Sequence, residues 1–211
     1  MDIAPMPASL RATHPNLERF WPFIQTLRQE SDRGQVLISA GFLEQQLKDV
    51  LLAFMLEQQQ TRDLVEGANA PLGSFHARIE ACYALGLITE DEYNDLILIR
   101  RIRNEFAHHV ETSFETPSVV SRCDQLRMKA EDYEDVKFGP SGKFQTAAVA
   151  VISNLINRPD YVRRERGQFR QASRLARSAI YSQHPDPGIP SAITPAAPTC
   201  RRAARKSLGQ T

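Results

Sequence analysis

The sequence predicts an all-α protein: a helical bundle of about five to seven helices followed by a disordered C-terminal tail. Three observations point there. Apolar residues recur every three or four positions over several long segments, as in Val36, Ala40, Leu43, Leu47, Val50 and Phe54, which is the spacing of one helix face. Serine, threonine or aspartate stands where these segments begin, and glycine or proline where they break, as helix starts and stops require. No pair of strand-like segments is apparent.

Composition sets the class. At 211 residues the chain suits one domain with appendages, and 42% apolar with 24% charged residues allows a sizeable core. The longest apolar runs, such as "VLLAFML", fall far short of the roughly 18 residues of a membrane span. The N-terminal "MDIAPMPASLRATHP" has no basic region followed by an apolar stretch, so no secretory signal is read and a cytoplasmic, bacterial-type protein is expected. Cys82, Cys123 and Cys200 are scattered without metal-ligand spacing. No cofactor and no metal is expected.

The net charge of +1 conceals a division. Residues 1–157 carry 15 Lys and Arg against 22 Asp and Glu, a formal −7, and residues 158–211 carry 11 against 3, a formal +8. The expected organisation is a flexible leader (1–15), a helical-bundle domain (16–157), a basic helical extension (158–183) and a disordered tail (184–211). That tail is rich in Pro, Ala, Ser and Thr and has too little apolar surface to order.

The elements follow in turn. From Asn16, residues Leu17, Phe20, Phe23 or Ile24, and Leu27 mark a first helix that Pro22 threatens to kink. Ser31 or Asp32 caps a long second helix running to about Gln60, in which Gly41 leaves room for a neighbour. Ser74 opens a third, with Phe75, Ile79, Cys82 or Tyr83, and Leu85 as its apolar stripe and Gly86 as its stop. Thr89 and Glu92 form a capping-box pattern for a helix reaching Val110. Its stripe is Leu96, Ile99, Phe106 and Val110, widened by Tyr93, Ile102 and Ala107. A weaker helix is read near Val119–Met128. "GKFQTAAVAVISNLI" admits strand or helix, its length and alanines favouring helix. A basic helix follows Pro159.

Chemistry concentrates in "RRIRNEFAHH". Arg100, Asn104 and His108 share one helix face. Arg103, between Ile99 and Phe106, sits at the edge of the core stripe, where an unpaired charge is costly. It is expected to be half-buried against a carboxylate of an earlier helix, Glu30 or Asp32. The polar cluster so defined is Glu30, Asp32, Arg33, Arg103, Asn104 and His108. A catalytic alternative uses Arg103, Asn104 and His108 to cleave RNA: histidine as acid or base, arginine as phosphate clamp, asparagine to orient either. Arg103 and His108 are about 140° apart on an ideal helix, so such a site needs a partner surface. In the extension, Arg163, Arg164, Arg166, Arg170, Arg174 and Arg177 are candidates for weak, sequence-independent nucleic-acid contact.

"RNEFAH" resembles the Arg-polar-x3-His signature of HEPN domains. The wider pattern resembles the bacterial mannitol operon repressor family, usually called MltR or MtlR: "ESDRG" (Glu30–Gly34), "AGFLEQQL" (Ala40–Leu47), "PLGSFHARIEACYALGLI" (Pro71–Ile88) and "IRRIRNEFAHH" (Ile99–His109), in family order over about half the chain. The resemblance implies a helical bundle and a transcriptional regulator of carbohydrate uptake. It supplies no DNA-reading element. The expectation is therefore a non-enzymatic regulator with a protein partner, possible as a homodimer. The HEPN resemblance implies the metal-independent endoribonuclease as its alternative, with the same three active positions.

Overall fold

The computed structural model describes residues 20–67, 69–132 and 137–166, and every element among them is helical or a turn. Chain contacts divide the protein into Met1–Phe169 and Arg170–Thr211. The second unit, and with it the expected tail, most of the basic extension, Cys200, Arg170, Arg174 and Arg177, lies outside the described residues, as does the leader with Leu17. The helices are α1 Trp21–Gln29, α2 Asp32–Phe54, α3 Gln59–Val65, α4 Phe75–Ala84, α5 Glu90–His108, α6 Pro117–Gln125 and α7 Pro140–Leu155; residues 158–166 are helical as well.

Helix α1 starts at Trp21 with Pro22 in its first turn. Proline is harmless there because its missing N–H would have had no partner, so Pro22 begins the helix instead of kinking it. Phe20, Phe23 and Phe42 stack with centroids 4.6–5.3 Å apart and hold α1 to α2. Ser31 caps α2, its Oγ accepting from the Gly34 N–H at 3.2 Å.

Helix α2 is the central post. It packs against α1, α3, α4, α5 and α7, burying Val36, Ala40, Leu43, Leu47, Val50 and Leu51. Each such side chain contributes about 1.5–3 kcal/mol of transfer free energy. The expectation that this helix runs to Gln60 is corrected: it stops at Phe54, and Met55 turns extended. Arg166 donates Nη1 to the carbonyls of Ala53 (3.2 Å) and Met55, and the Thr61 hydroxyl takes the Leu56 carbonyl at 2.6 Å. Phe54 consequently falls outside the core, at 38% exposure. Gly41 faces open space, with no atom within 4 Å of where a Cβ would stand, so the expected close neighbour is not there among the described residues.

The corner between α4 and α5 is built from local signals. Ser74 caps α4 by accepting from the Ala77 N–H. At its end Gly86 takes φ +67°, the Gly86 N–H donates to Tyr83 O and the Leu87 N–H to Cys82 O. That pair of bonds closes a helix C-terminus through a left-handed residue, which glycine adopts without strain. Thr89 and Glu92 then complete a reciprocal capping box at the start of α5. Leu96, Ile99, Ile102 and Phe106 are buried from α5. The helix ends at His108, two residues short of the expected Val110, which is 90% exposed, and Ala107 points outward.

Helix α7 resolves the strand-or-helix ambiguity as helix, with Phe144, Ala147, Ala148, Val151, Ile152 and Leu155 buried against α2, α5 and α6. The segment after it is docked on the bundle. Val162 joins the core, and Arg158 donates to Leu87 O and to Glu92, both at 2.8 Å. No helix among the described residues is long and apolar enough to cross a membrane.

Candidate functional site

The second half of α5 carries the residues singled out from the sequence, and the structure sorts them by what their polar atoms do. Arg33 stands in the first turn of α2 and reaches the end of α5. Its Nη2 donates to the carbonyls of His109 (2.9 Å) and Val110 (2.7 Å), while the guanidinium lies 5.9 Å from the centroid of the Phe106 ring. A cation at a helix C-terminus meets both the unpaired carbonyls and the negative end of the dipole. Arg33 thereby holds the exit of the helix that bears His108.

Arg103 is partly buried, and its Nη1 donates to Asn104 Oδ1 at 3.1 Å. The expected ion pair is not formed: among the described residues neither Glu30 nor Asp32 pairs with Arg103. Glu30 instead lies over the first turn of α2, with Oε2 2.6 Å from where a Gly34 Cβ would stand, and its main-chain carbonyl accepts from Gln35 Nε2 at 3.0 Å. Asp32 is exposed in the first turn of α2, where its charge suits the positive end of the dipole. Of the six-residue cluster, then, the fold joins Arg33 to the α5 exit and Arg103 to Asn104.

His108 closes α5 and is exposed. Glu105, four positions from both Arg101 and His109, turns to α6, where Ser118 and Arg122 donate to its two carboxylate oxygens. Arg100, Arg101 and Arg103 therefore follow one another on α5 with no carboxylate partner among the described residues, whereas Arg78, Arg122, Arg127, Arg158 and Arg163 each have one. Arg100 Nε is buried without an acceptor.

Sequence reasoning missed three polar positions. Arg78, inside the "PLGSFHARIEACYALGLI" stretch, is buried and gathers the carbonyls of Leu72, Glu44 and Val65 at 3.0–3.3 Å. Asp95, fully buried, accepts from the main-chain N–H groups of Arg127 (2.8 Å) and Met128 (2.9 Å). Burial pushes its carboxyl pKa up, and the two N–H donors work against that. Glu92, 1% exposed, serves both the capping box and Arg158; the Thr89 pattern flagged only the first role. All three hold main chain in place, and each has at least one partner distant in sequence: Glu44 for Arg78, Arg127 and Met128 for Asp95, Arg158 for Glu92.

In the extension Arg163 pairs with Asp160 at 2.9 Å, Arg164 is exposed and Arg166 is engaged with the end of α2. Among the described residues no set of three His, Cys, Asp or Glu side chains gathers as a metal-ligand group.

These features define an all-α bundle with an arginine-bearing outer helix face. No protein-family model matches the chain. No curated protein matches it either. Among solved structures it is similar to the Escherichia coli MtlR–HPr complex determined by X-ray crystallography, at 19% identity and a TM-score of 0.48 over 67% of this chain and 96% of that one.

Proposed function

We propose that this protein is a non-enzymatic regulator of the mannitol operon repressor type, acting through protein contacts more than through sequence-specific reading of DNA. The observation that carries the reading is how the charged residues of the resembling segments are used. Arg33 and Arg78 spend donors on main-chain carbonyls, so they serve as scaffold and Arg33 is not a spare phosphate clamp. What the resembling segments leave on the outer side of α5 is the row Arg100, Arg101, Asn104 and His108, with Arg101 and His108 exposed and Arg100 and Asn104 half-buried. That row has the composition of a binding face. Acid–base catalysis asks for a histidine oriented by a second group, and among the described residues no side chain hydrogen-bonds His108. The protein partner, a homodimer, and weak nucleic-acid contact through Arg163 and Arg164 belong to the same proposal.

Two assays test it. Deletion of the gene should derepress a sugar-uptake operon, and wild-type protein should restore repression. Purified protein incubated with structured RNA in EDTA should leave the RNA intact. Cleavage that disappears in His108→Ala would replace this reading with the endoribonuclease one.

A further inference from the structure

The outer face of α5 is continuous from its first turns to its last. At 3.6 residues per turn, Tyr93, Ile97, Arg100, Arg101, Asn104 and His108 fall on one side of the helix, away from the buried Ile99, Ile102 and Phe106, with Tyr93 and Ile97 partly buried against the core. At the N-terminal end Tyr93 stacks on Tyr83 with centroids 4.4 Å apart, and Tyr83 and Leu85 are exposed at 41% and 42%. At the other end stand Arg100, Arg101 and Arg103, with no carboxylate partner among the described residues. An aromatic patch, in which the Tyr93 hydroxyl donates to Glu80 at 3.0 Å, running into guanidinium groups with no carboxylate partner among the described residues is the composition in which protein interfaces are enriched.

We infer that this face docks a protein partner that presents carboxylates beside apolar side chains. The inference deepens the proposal that the protein works through protein contacts. Charge complementarity selects the occupant. Residues 1–157 are acidic by a formal seven charges, so a long polyanion such as RNA is repelled by most of the surface it would lie on. A second copy of the chain docking through this same face would set one arginine row against another. A compact partner with a few carboxylates meets only the cationic row. Arg101 and the Tyr83–Tyr93 pair are its main contacts, and Asn104 accepts or donates at the rim.

The test uses the full-length protein, isotope-labelled, with a short synthetic peptide of Glu, Leu and Tyr as the probe and oligouridylate of matched charge as the comparison. The expected result is peptide-induced shifts at Tyr93, Ile97, Arg101 and Asn104, weakened by added salt. Arg101→Glu should raise the Kd about tenfold or more, and Arg62→Glu, an exposed arginine on α3, should leave it unchanged. Equal weakening by the two variants, no shifts on α5, or tighter binding of oligouridylate at the same residues would each overturn the inference. Peptide binding through α5 in a protein that fails to restore repression would keep this surface and remove the regulatory reading. Restored repression by Arg101→Glu would do the reverse.

Discussion

Arg33 and Val110 stand 77 positions apart in sequence, yet the guanidinium Nη2 of one donates to the main-chain carbonyl of the other at 2.7 Å. The start of α2 is thereby tied to the exit of α5. Hydrogen bonds to a charged donor are worth about 1.5–3 kcal/mol each. Arg33→Ala is expected to cost about 2 kcal/mol in denaturant unfolding, with faster amide exchange confined to the residues after His108. Arg33→Lys should fall between the two, because a lysine keeps the charge and loses the planar group over Phe106. Wild-type exchange at Val110 and Glu111 in the alanine variant would contradict the tie.

The Glu92–Arg158 pair gives a second prediction. Glu92 is almost fully buried and its two oxygens are committed to Thr89 N–H and Arg158. Removing one partner of a buried pair typically costs about 3–5 kcal/mol, since the other charge is left without compensation. Arg158→Ala should approach the low end of that range, as the arginine is 24% exposed at its side chain. Unchanged thermal unfolding would show that the 158–166 helix is not held by this contact.

Asp95 predicts a pH dependence with a definite sign. Its pKa is raised from the ordinary 3.8, chiefly by burial. The native state therefore holds the proton more tightly than the unfolded chain, and the stability this contributes is present below about pH 3.8 and lost as pH rises through the folded value. Relative to Asp95→Asn, the wild type should lose stability as pH rises from 3.8 through that raised value. Urea titrations of both proteins at a series of pH values measure the difference. A gap that moves the opposite way would mean that the Arg127 and Met128 N–H donors outweigh burial.

The thiols offer a chemical check. Burial pushes both Cys82 and Cys123 up to about 12, and thiolate is the reactive form. In a Cys200→Ser background, a thiol reagent at neutral pH should label neither residue in the native protein and both after unfolding. Rapid native labelling would place at least one of them outside the core.

Arg103→Ala is expected to change stability by about 1 kcal/mol or less, because a partly buried side chain bonded only to its neighbour Asn104 leaves no buried carboxylate behind. A loss of about 3–5 kcal/mol would restore the ion-pair role that its position on the stripe suggested.

The features legible in the sequence are those encoded by neighbouring residues. Ser31, Ser74 and the Thr89–Glu92 box announce helix starts, Gly86 announces a stop, and the stripes of α2 and α5 are read from spacing alone. The ends of the two long helices were not legible. Each is terminated by an arginine from far along the chain, Arg166 at Ala53 and Arg33 at Val110, and no local pattern marks such a donor. Phe54, the last residue of α2, and Val110, two residues past the end of α5, fit the spacing of the stripes but lie outside the core. In the α5 cluster the spacing does not reveal the pairings: Arg103 bonds Asn104 and not Glu30 or Asp32, and Glu105 turns to Arg122 on α6, leaving the arginines before it without acids among the described residues.

The α4–α5 corner has a consequence for the order in which the protein assembles. Its stop, turn and start are satisfied within a few residues of one another, so closing it costs little chain entropy, while the arginine latches wait for segments that close very long loops. The helical hairpin should form on the way to the folding transition state and the latches after it. Gly86→Ala, strained at φ +67°, should slow refolding. Loss of Arg33 should leave the refolding rate nearly unchanged and hasten unfolding.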